Sequence, residues 1–112
     1  MVKRTTLVFG TKGSVDQASA VVAGALSIVL RRRESLYRGG DYWVRRATSD
    51  PMSVRVQANR AMEDDLAEDV DLPTLIYVEG TTDPEAIMAA IGEHVTLIRR
   101  TEETRPPSID LA

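Results

Sequence analysis

Two segments near the ends of the chain contain residue types that could bind a ligand. The first, GTKGS, runs from Gly10 to Ser14, between a strand-like run and a helix-like run, which is where phosphate-binding loops occur. Backbone N–H groups at a helix start can hold an anion. Because the segment lacks the full spacing of the known phosphate motifs, it favours a glycine-rich connection, with anion binding as the alternative.

The second segment contains the single histidine, His94, next to Glu93. A metal site needs several converging ligands, and a general base needs a partner within hydrogen-bond reach. The pair therefore predicts a surface histidine at a helix end. The sequence contains no nucleophile elbow, paired-histidine motif or Ser/His/Asp pattern. We therefore expect a protein without catalytic residues, metal or cofactor.

A run of carboxylates lies in the second half of the chain. Six of the nine residues in EDDLAEDVD, from Glu63 to Asp71, are acidic. Calcium loops need ligands at fixed spacing and a glycine at the sharp turn, and this run has neither. The run indicates a solvated face, with a protein-binding patch as the alternative. The acidic candidates for partner binding are Asp64, Asp65, Glu68 and Asp69.

The segment SLYRGGDYWVRRA contains a glycine pair that permits positive φ, so we expect a hairpin reversal or a β-bulge there. If Tyr42 and Val44 face the core, the pleat places Trp43 and Arg45 on the opposite, helix-free face. Arg55, on the neighbouring strand, should lie beside them. Tryptophan and arginine are typical of binding hot spots, so these residues are predicted to bind a partner. The alternative is that Trp43 packs under a loop or at the sheet edge.

Composition and charge limit the class of protein. The chain has 112 residues, 43% of them hydrophobic, a net charge of −3 and no cysteine. No apolar run reaches the roughly 18 residues that a membrane span needs, and the N-terminal run is too short for a signal peptide. The negative charge argues against direct nucleic-acid binding. We expect one cytoplasmic α+β domain over residues 1–100, a flexible tail over residues 101–112 and no membrane association.

Hydrophobic periodicity predicts two main helices. Ser14 and Gln17 form a capping box at the start of a helix over residues 14–30. Asp83 precedes Pro84, at the favoured first position of a helix over residues 83–91. The buried stripe of the first helix should comprise Ala18, Val21, Val22, Ala25, Leu26 and Val29.

The strands are predicted from alternating or continuous apolar runs, at residues 5–9, 42–46, 53–58, 75–78 and 95–100. The second and third should pair antiparallel, whereas strand–helix–strand units imply parallel neighbours. Asn59 should cap a short acidic helix that buries Met62, Leu66 and Val70. The predicted fold is an α+β two-layer sandwich: a mixed sheet with two main helices on one face, in the order β-α-β-β-β-α-β.

The run S-L-Y-R-G-G-D-Y-W, the strand V-R-V-Q-A-N, the acidic stretch and the strand L-I-Y-V, over about residues 35–80, resemble small bacterial immunity proteins. These are the cognate inhibitors encoded beside contact-dependent growth inhibition and other polymorphic toxins. The resemblance implies a non-enzymatic protein that binds and blocks a toxin domain, often a nuclease. It assigns no contact residues, because partner contacts differ from pair to pair. An acidic patch would suit a toxin with a basic, nucleic-acid-binding surface.

Two further possibilities stay open at this point. The chain could instead be a small-molecule-binding or enzymatic α+β domain that uses the loop from Gly10 to Ser14 for an anion. With either function it could form a homo-oligomer through an edge strand or through the small helix face of Ala20, Gly24 and Ser27. We expect a monomer or a weak homodimer.

Overall fold

The computed structural model describes residues 2–35, 40–45, 52–60 and 65–105. These residues form six strands and two helices. In chain order they are β1 (Val2–Thr11), α1 (Val15–Leu26), β2 (Arg31–Ser35), β3 (Gly40–Arg45), β4 (Ser53–Ala58), β5 (Thr74–Thr81), α2 (Pro84–Ile91) and β6 (Thr96–Arg105).

Both helices begin at the predicted capping residues. The Ser14 hydroxyl accepts a hydrogen bond from the backbone N–H of Gln17, and the Gln17 side chain accepts one from the backbone N–H of Ser14. At α2 the Asp83 carboxylate accepts from the N–H of Ala86, and Pro84 occupies the first turn. Neither helix has the length and apolar character needed to cross a bilayer, within the residues described.

The first helix is shorter than the predicted range of 14–30. It ends at Leu26 because Ser27 adopts a left-handed conformation, with φ of 55°. Val29, predicted in the buried stripe, lies beyond the helix and is 78% exposed. The arginines that follow lie in β2 and not at the end of the helix.

All the strand pairs described in the sheet are antiparallel, in the order β2-β3-β4-β5-β1-β6. The α+β class and the order of helices and strands are confirmed, and so is the antiparallel pairing of β3 with β4. The expected parallel neighbours are absent from these pairs. β5 and β6 do run in the same direction on either side of α2, but β1 lies between them.

Six of these elements form a recognised arrangement. β1, α1, β4, β5, α2 and β6 have the β-α-β-β-α-β order of a ferredoxin-like, split βαβ fold. The β2–β3 hairpin extends this sheet beyond β4. Its pairing of Ser35 with Gly40 favours the hairpin reversal over the bulge, and Gly40 has φ of 103°, which a glycine adopts without strain.

Both helices pack on one face of the sheet, as predicted. They cover the larger hydrophobic core, to which alternate residues of β1, β4 and β5 contribute. The buried members are Leu7, Phe9, Ala18, Val22, Leu30, Met52, Val54, Val56, Ile76, Val78, Ile87 and Ile91.

The opposite face is covered in part by residues 65–73, which have no regular secondary structure. Val8, Leu75 and Tyr77 form a second core there, with Ala67, Val70 and Ile98 packed against it. The described part of the predicted acidic helix is therefore an irregular segment, and Leu66, expected inside, is 57% exposed. We call residues 65–71 the acidic loop.

Two strands extend beyond their predicted ends. β1 continues through Gly10, where a Cβ would lie 2.5 Å from Cδ1 of Leu72, so the missing side chain leaves room for Leu72 to pack. Residues 101–105, predicted to belong to a flexible tail, form the second half of β6 and pair with Val2–Thr6. Residues 106–112 lie outside the described range.

Placing a charge in the helix-side core should strongly destabilise the protein. Val22 is fully buried and Ala20 is exposed on the same helix. Val22→Asp should cost about 3–5 kcal/mol, the range seen when a buried charge has no partner, as measured by urea denaturation followed by circular dichroism. Ala20→Asp is the control, and comparable stability in the two variants would show that the buried helix face is misassigned.

Candidate functional site

Trp43 lies on the helix side of the sheet and not on the predicted helix-free face. It pairs with Val56 and packs against the helix-side core, and its indole Nε1 donates a hydrogen bond to Asp16 Oδ1 at 2.9 Å. Arg45 pairs with Val54 and lies on the same side. The prediction that Tyr42 faces the core was wrong. Because side chains alternate between the two faces of a strand, this error assigned every side chain of β3 to the opposite face.

Arg55 lies on the helix-free face, as predicted. Its guanidinium carbon is 4.3 Å from the centroid of the Tyr77 ring, on the neighbouring strand. Its Nε donates to Gln57 Oε1 at 2.7 Å, and Glu79 lies 4.0 Å from its Nη1. The predicted surface of Trp43, Arg45 and Arg55 is thus divided between the two faces of the sheet.

Glu68 is a structural residue of the acidic loop. Its side chain is only 12% exposed. The carboxylate accepts hydrogen bonds from the Tyr77 hydroxyl at 2.8 Å and from Arg99 Nη1 at 2.6 Å. Burial raises the pKa of Tyr77 to about 12, and the hydrogen bond to Glu68 acts in the same direction. This carboxylate therefore fastens the loop to β5 and β6.

Asn59 fixes the loop backbone from inside. The side chain is buried, and its Nδ2 donates to the carbonyl oxygens of Glu68, Val70 and Leu72 at 3.1, 3.1 and 2.9 Å. Its Oδ1 accepts from the backbone N–H of Glu68 at 2.9 Å. An irregular segment on a protein surface needs such partners for its backbone groups. Asn59 therefore supplies the hydrogen bonds that a helix would have supplied internally.

The acidic loop displays an apolar residue among carboxylates. Asp65, Asp69 and Asp71 are exposed, and Leu66 is exposed beside them. Within the described part of the chain, none of these three carboxylates has a hydrogen-bond or ion-pair partner. Asp64, the fourth predicted acidic residue, lies outside the described residues.

A cleft of about 480 Å³ opens beside the loop. Its walls come from the loop, from the end of β4 with the two residues after it, and from the two residues that precede β5. The lining residues are Ala58, Asn59, Arg60, Leu66, Asp69, Val70, Asp71, Leu72 and Pro73.

The alternative anion loop is largely occupied by its own hydrogen bonds. The N–H groups of Gly13, Ser14 and Gln17 donate to side chains of the same loop or helix. A cleft of about 300 Å³ lies between Lys12 and His94, and Glu93 also lines it. Because these three donors are already paired, this geometry does not favour an anion site.

The sequence reasoning missed the residues that build the loop. Asn59 was interpreted as a helix cap, and neither Tyr77 nor Arg99 was singled out. The only sequence signal was a polar residue directly after an alternating strand. Such an asparagine also suits a turn or a helix start, so the signal does not distinguish among them.

Fold and site together define an α+β protein with a ferredoxin-like core and an acidic loop tied across one face of its sheet. Within the described residues, no group of three or more His, Cys, Asp or Glu side chains is placed to hold a metal ion. Compared with protein-family models, curated proteins and solved structures, the chain has no match in any of the three.

Removing the Asn59 side chain should release the loop. Asn59→Ala leaves four backbone groups without their partner, so we expect the loop to lose about 2 kcal/mol of stability. Hydrogen exchange of the amides in residues 65–72 measures this directly, relative to the amides of α1. Asp69→Ala, at an exposed position of the same loop, is the control. Equal exchange in the two variants would mean that Asn59 does not hold the loop.

Stability should fall at alkaline pH through Tyr77. Its pKa in the folded protein is about 12, above the ordinary value of about 10. The folded state therefore keeps a proton that the unfolded chain loses, so this contribution is complete below pH of about 10 and disappears towards pH of about 12. Denaturation across this range, with phenolate absorbance to follow ionisation, measures it. Tyr77→Phe should show a smaller fall, and an unchanged fall would assign the effect to another group.

Proposed function

We propose that the protein is a non-enzymatic binding protein of the immunity type, which neutralises a toxin domain in the bacterial cytoplasm by docking its acidic loop onto a basic surface of that domain. The single observation that carries this proposal is the construction of the loop. Buried hydrogen bonds hold its backbone, and the same segment exposes Asp65, Leu66, Asp69 and Asp71.

The fixed backbone supports a binding role because association is costly when a flexible loop must be ordered. A loop that is already ordered in the unbound protein avoids most of that cost. The bonds of Asn59 and Glu68 serve this purpose, because they restrict the backbone without using the outward-facing carboxylates.

The exposed charges support a basic partner. Unpaired carboxylates at the edge of an interface accelerate encounter with a positive surface, and this acceleration weakens with salt. A nuclease toxin must present positive charge to bind the phosphate backbone. A carboxylate-rich loop on its inhibitor can occupy that surface, which agrees with the resemblance to immunity proteins.

Leu66 has the position expected of an anchor. The Leu66 side chain is 57% exposed although it belongs to a fixed loop. Packing within the chain does not explain why so large an apolar side chain stays exposed. Surrounded by charges, it can enter an apolar pocket of a partner while the carboxylates contact the rim. Leu66 replaces Trp43 as the anchor in this proposal, because Trp43 packs against the helix-side core.

The test uses the toxin-like domain encoded by the adjacent gene and measures association and dissociation rates at several salt concentrations. The double variant Asp65→Lys/Asp69→Lys should associate at least about tenfold more slowly and lose its salt dependence. Leu66→Ala should mainly speed dissociation, by about tenfold, equivalent to roughly 1.4 kcal/mol.

The control is Glu34→Lys/Glu93→Lys, which makes the same change in net charge at exposed positions outside the loop. Equal slowing by the control would show that only net charge acts. Unchanged rates in all the folded variants would place the interface elsewhere. An adjacent gene without a toxin-like domain, together with no binding to nuclease toxin domains, would contradict the proposed function.

A further inference from the structure

The two edges of the sheet differ in length and in charge. β2 has five residues and carries three consecutive arginines, a charge pattern that discourages strand addition. β6 has ten residues, and among the residues described only β1 pairs with it. The outer side of β6 therefore presents a long row of backbone donors and acceptors.

The charges of β6 are arranged symmetrically about Thr101. The sequence around it is R-R-T-E-E, with Arg99 and Arg100 before it and Glu102 and Glu103 after it. In an antiparallel pair of identical strands centred on Thr101, each arginine lies directly opposite a glutamate of the other copy. Opposite charges in directly facing positions stabilise a strand pair.

From this pattern we infer that β6 is a self-association edge, through which two copies of the chain join their sheets in antiparallel register about Thr101. The association is isologous, since the same strand serves on both copies. The inference does not depend on the proposed binding function.

The alternation of side chains between the two faces of the sheet limits the registers in which two copies of β6 can pair. Arg100 pairs with Leu7 and contacts Glu85 of α2, so it lies on the helix side of the sheet; Glu102, two residues on, lies on the same side. Residues directly opposite one another share a face, so a two-fold axis perpendicular to the sheet must pass midway between the two β6 strands, level with a residue of β6. An axis at Arg100 or at Glu102 puts like charges opposite each other, which destabilises the pair. Thr101 avoids this conflict and makes the charges complementary.

The local ion pairs keep these side chains in place. Arg100 contacts Glu85 at 2.9 Å and Glu102 at 2.8 Å, and Lys3 contacts Glu102 at 2.7 Å. Hydrogen bonds from Lys3 and Arg100 lower the pKa of Glu102, so its carboxylate is charged at neutral pH. All these groups are partly exposed, and such pairs contribute little to folding. Single substitutions at Arg100 and Glu102 should therefore leave the fold intact.

Sedimentation equilibrium of the full chain, up to about 1 mM, tests the inference, because even a weak complex is populated at that concentration. The mass of the wild-type protein should rise from one chain towards two. Arg100→Glu and Glu102→Arg each place like charges opposite one another, so each should weaken self-association at least about tenfold. An equimolar mixture of the two variants should associate again, since their charges are complementary.

The matched controls are Arg33→Glu and Glu34→Arg on β2, which make the same charge changes at the other edge and should associate like the wild type. Circular dichroism confirms that each variant is folded. A wild-type protein that stays at the mass of one chain, variants that associate normally, or a mixture that gains nothing would each overturn the inference.

Discussion

Burial of β5 on both faces is the constraint on which the rest of the structure depends. Leu75 and Tyr77 point to one face, Ile76 and Val78 to the other, and all four are buried. A strand of this kind needs cover on both sides of the sheet. Both helices lie on the same side of the sheet, so the acidic loop must cover the other side.

A loop can cover an apolar face only if its own polar backbone is satisfied. A helix does this with internal hydrogen bonds, whereas an irregular segment depends on side chains. The Asn59 amide supplies hydrogen bonds to the backbone of the loop. The Glu68 carboxylate bonds to Tyr77 and Arg99 and so attaches the loop to the strands below. The conformation of the loop is thus a consequence of core burial. Its fixed outer surface follows from the same contacts.

The elements that sequence predicted well are those set by local chemistry. The capping box of Ser14 and Gln17 and the cap at Asp83 each act within one turn, so residue types at fixed spacing identify them. The continuous apolar run at residues 75–78 likewise predicted the β5 strand. These local features are sufficient to predict the α+β class and the residues at which the two helices begin.

The features that sequence missed depend on contacts between distant residues. The run Y-W-V-R in β3 is apolar or amphipathic at every position, so it does not reveal which side faces the helices. The pairing of Trp43 with Val56 on the neighbouring strand places Trp43 against the helix-side core. The end of α1 at Ser27 likewise has no glycine to mark it. β1 separates β5 from β6, which is a property of the whole sheet and invisible in any single strand–helix–strand unit.

In the acidic loop, position decides whether a carboxylate takes part in the fold or stays exposed to solvent. Glu68 and Asp69 are neighbours with the same chemistry, and charge patterning placed both on one binding patch. In the structure Glu68 is bonded to Tyr77 and Arg99, whereas Asp69 faces solvent. A carboxylate that holds the loop cannot also meet a partner without releasing Tyr77 and Arg99. In the proposed function the binding charges are therefore those that the fold does not use, so substitutions at these exposed positions should cost the fold little.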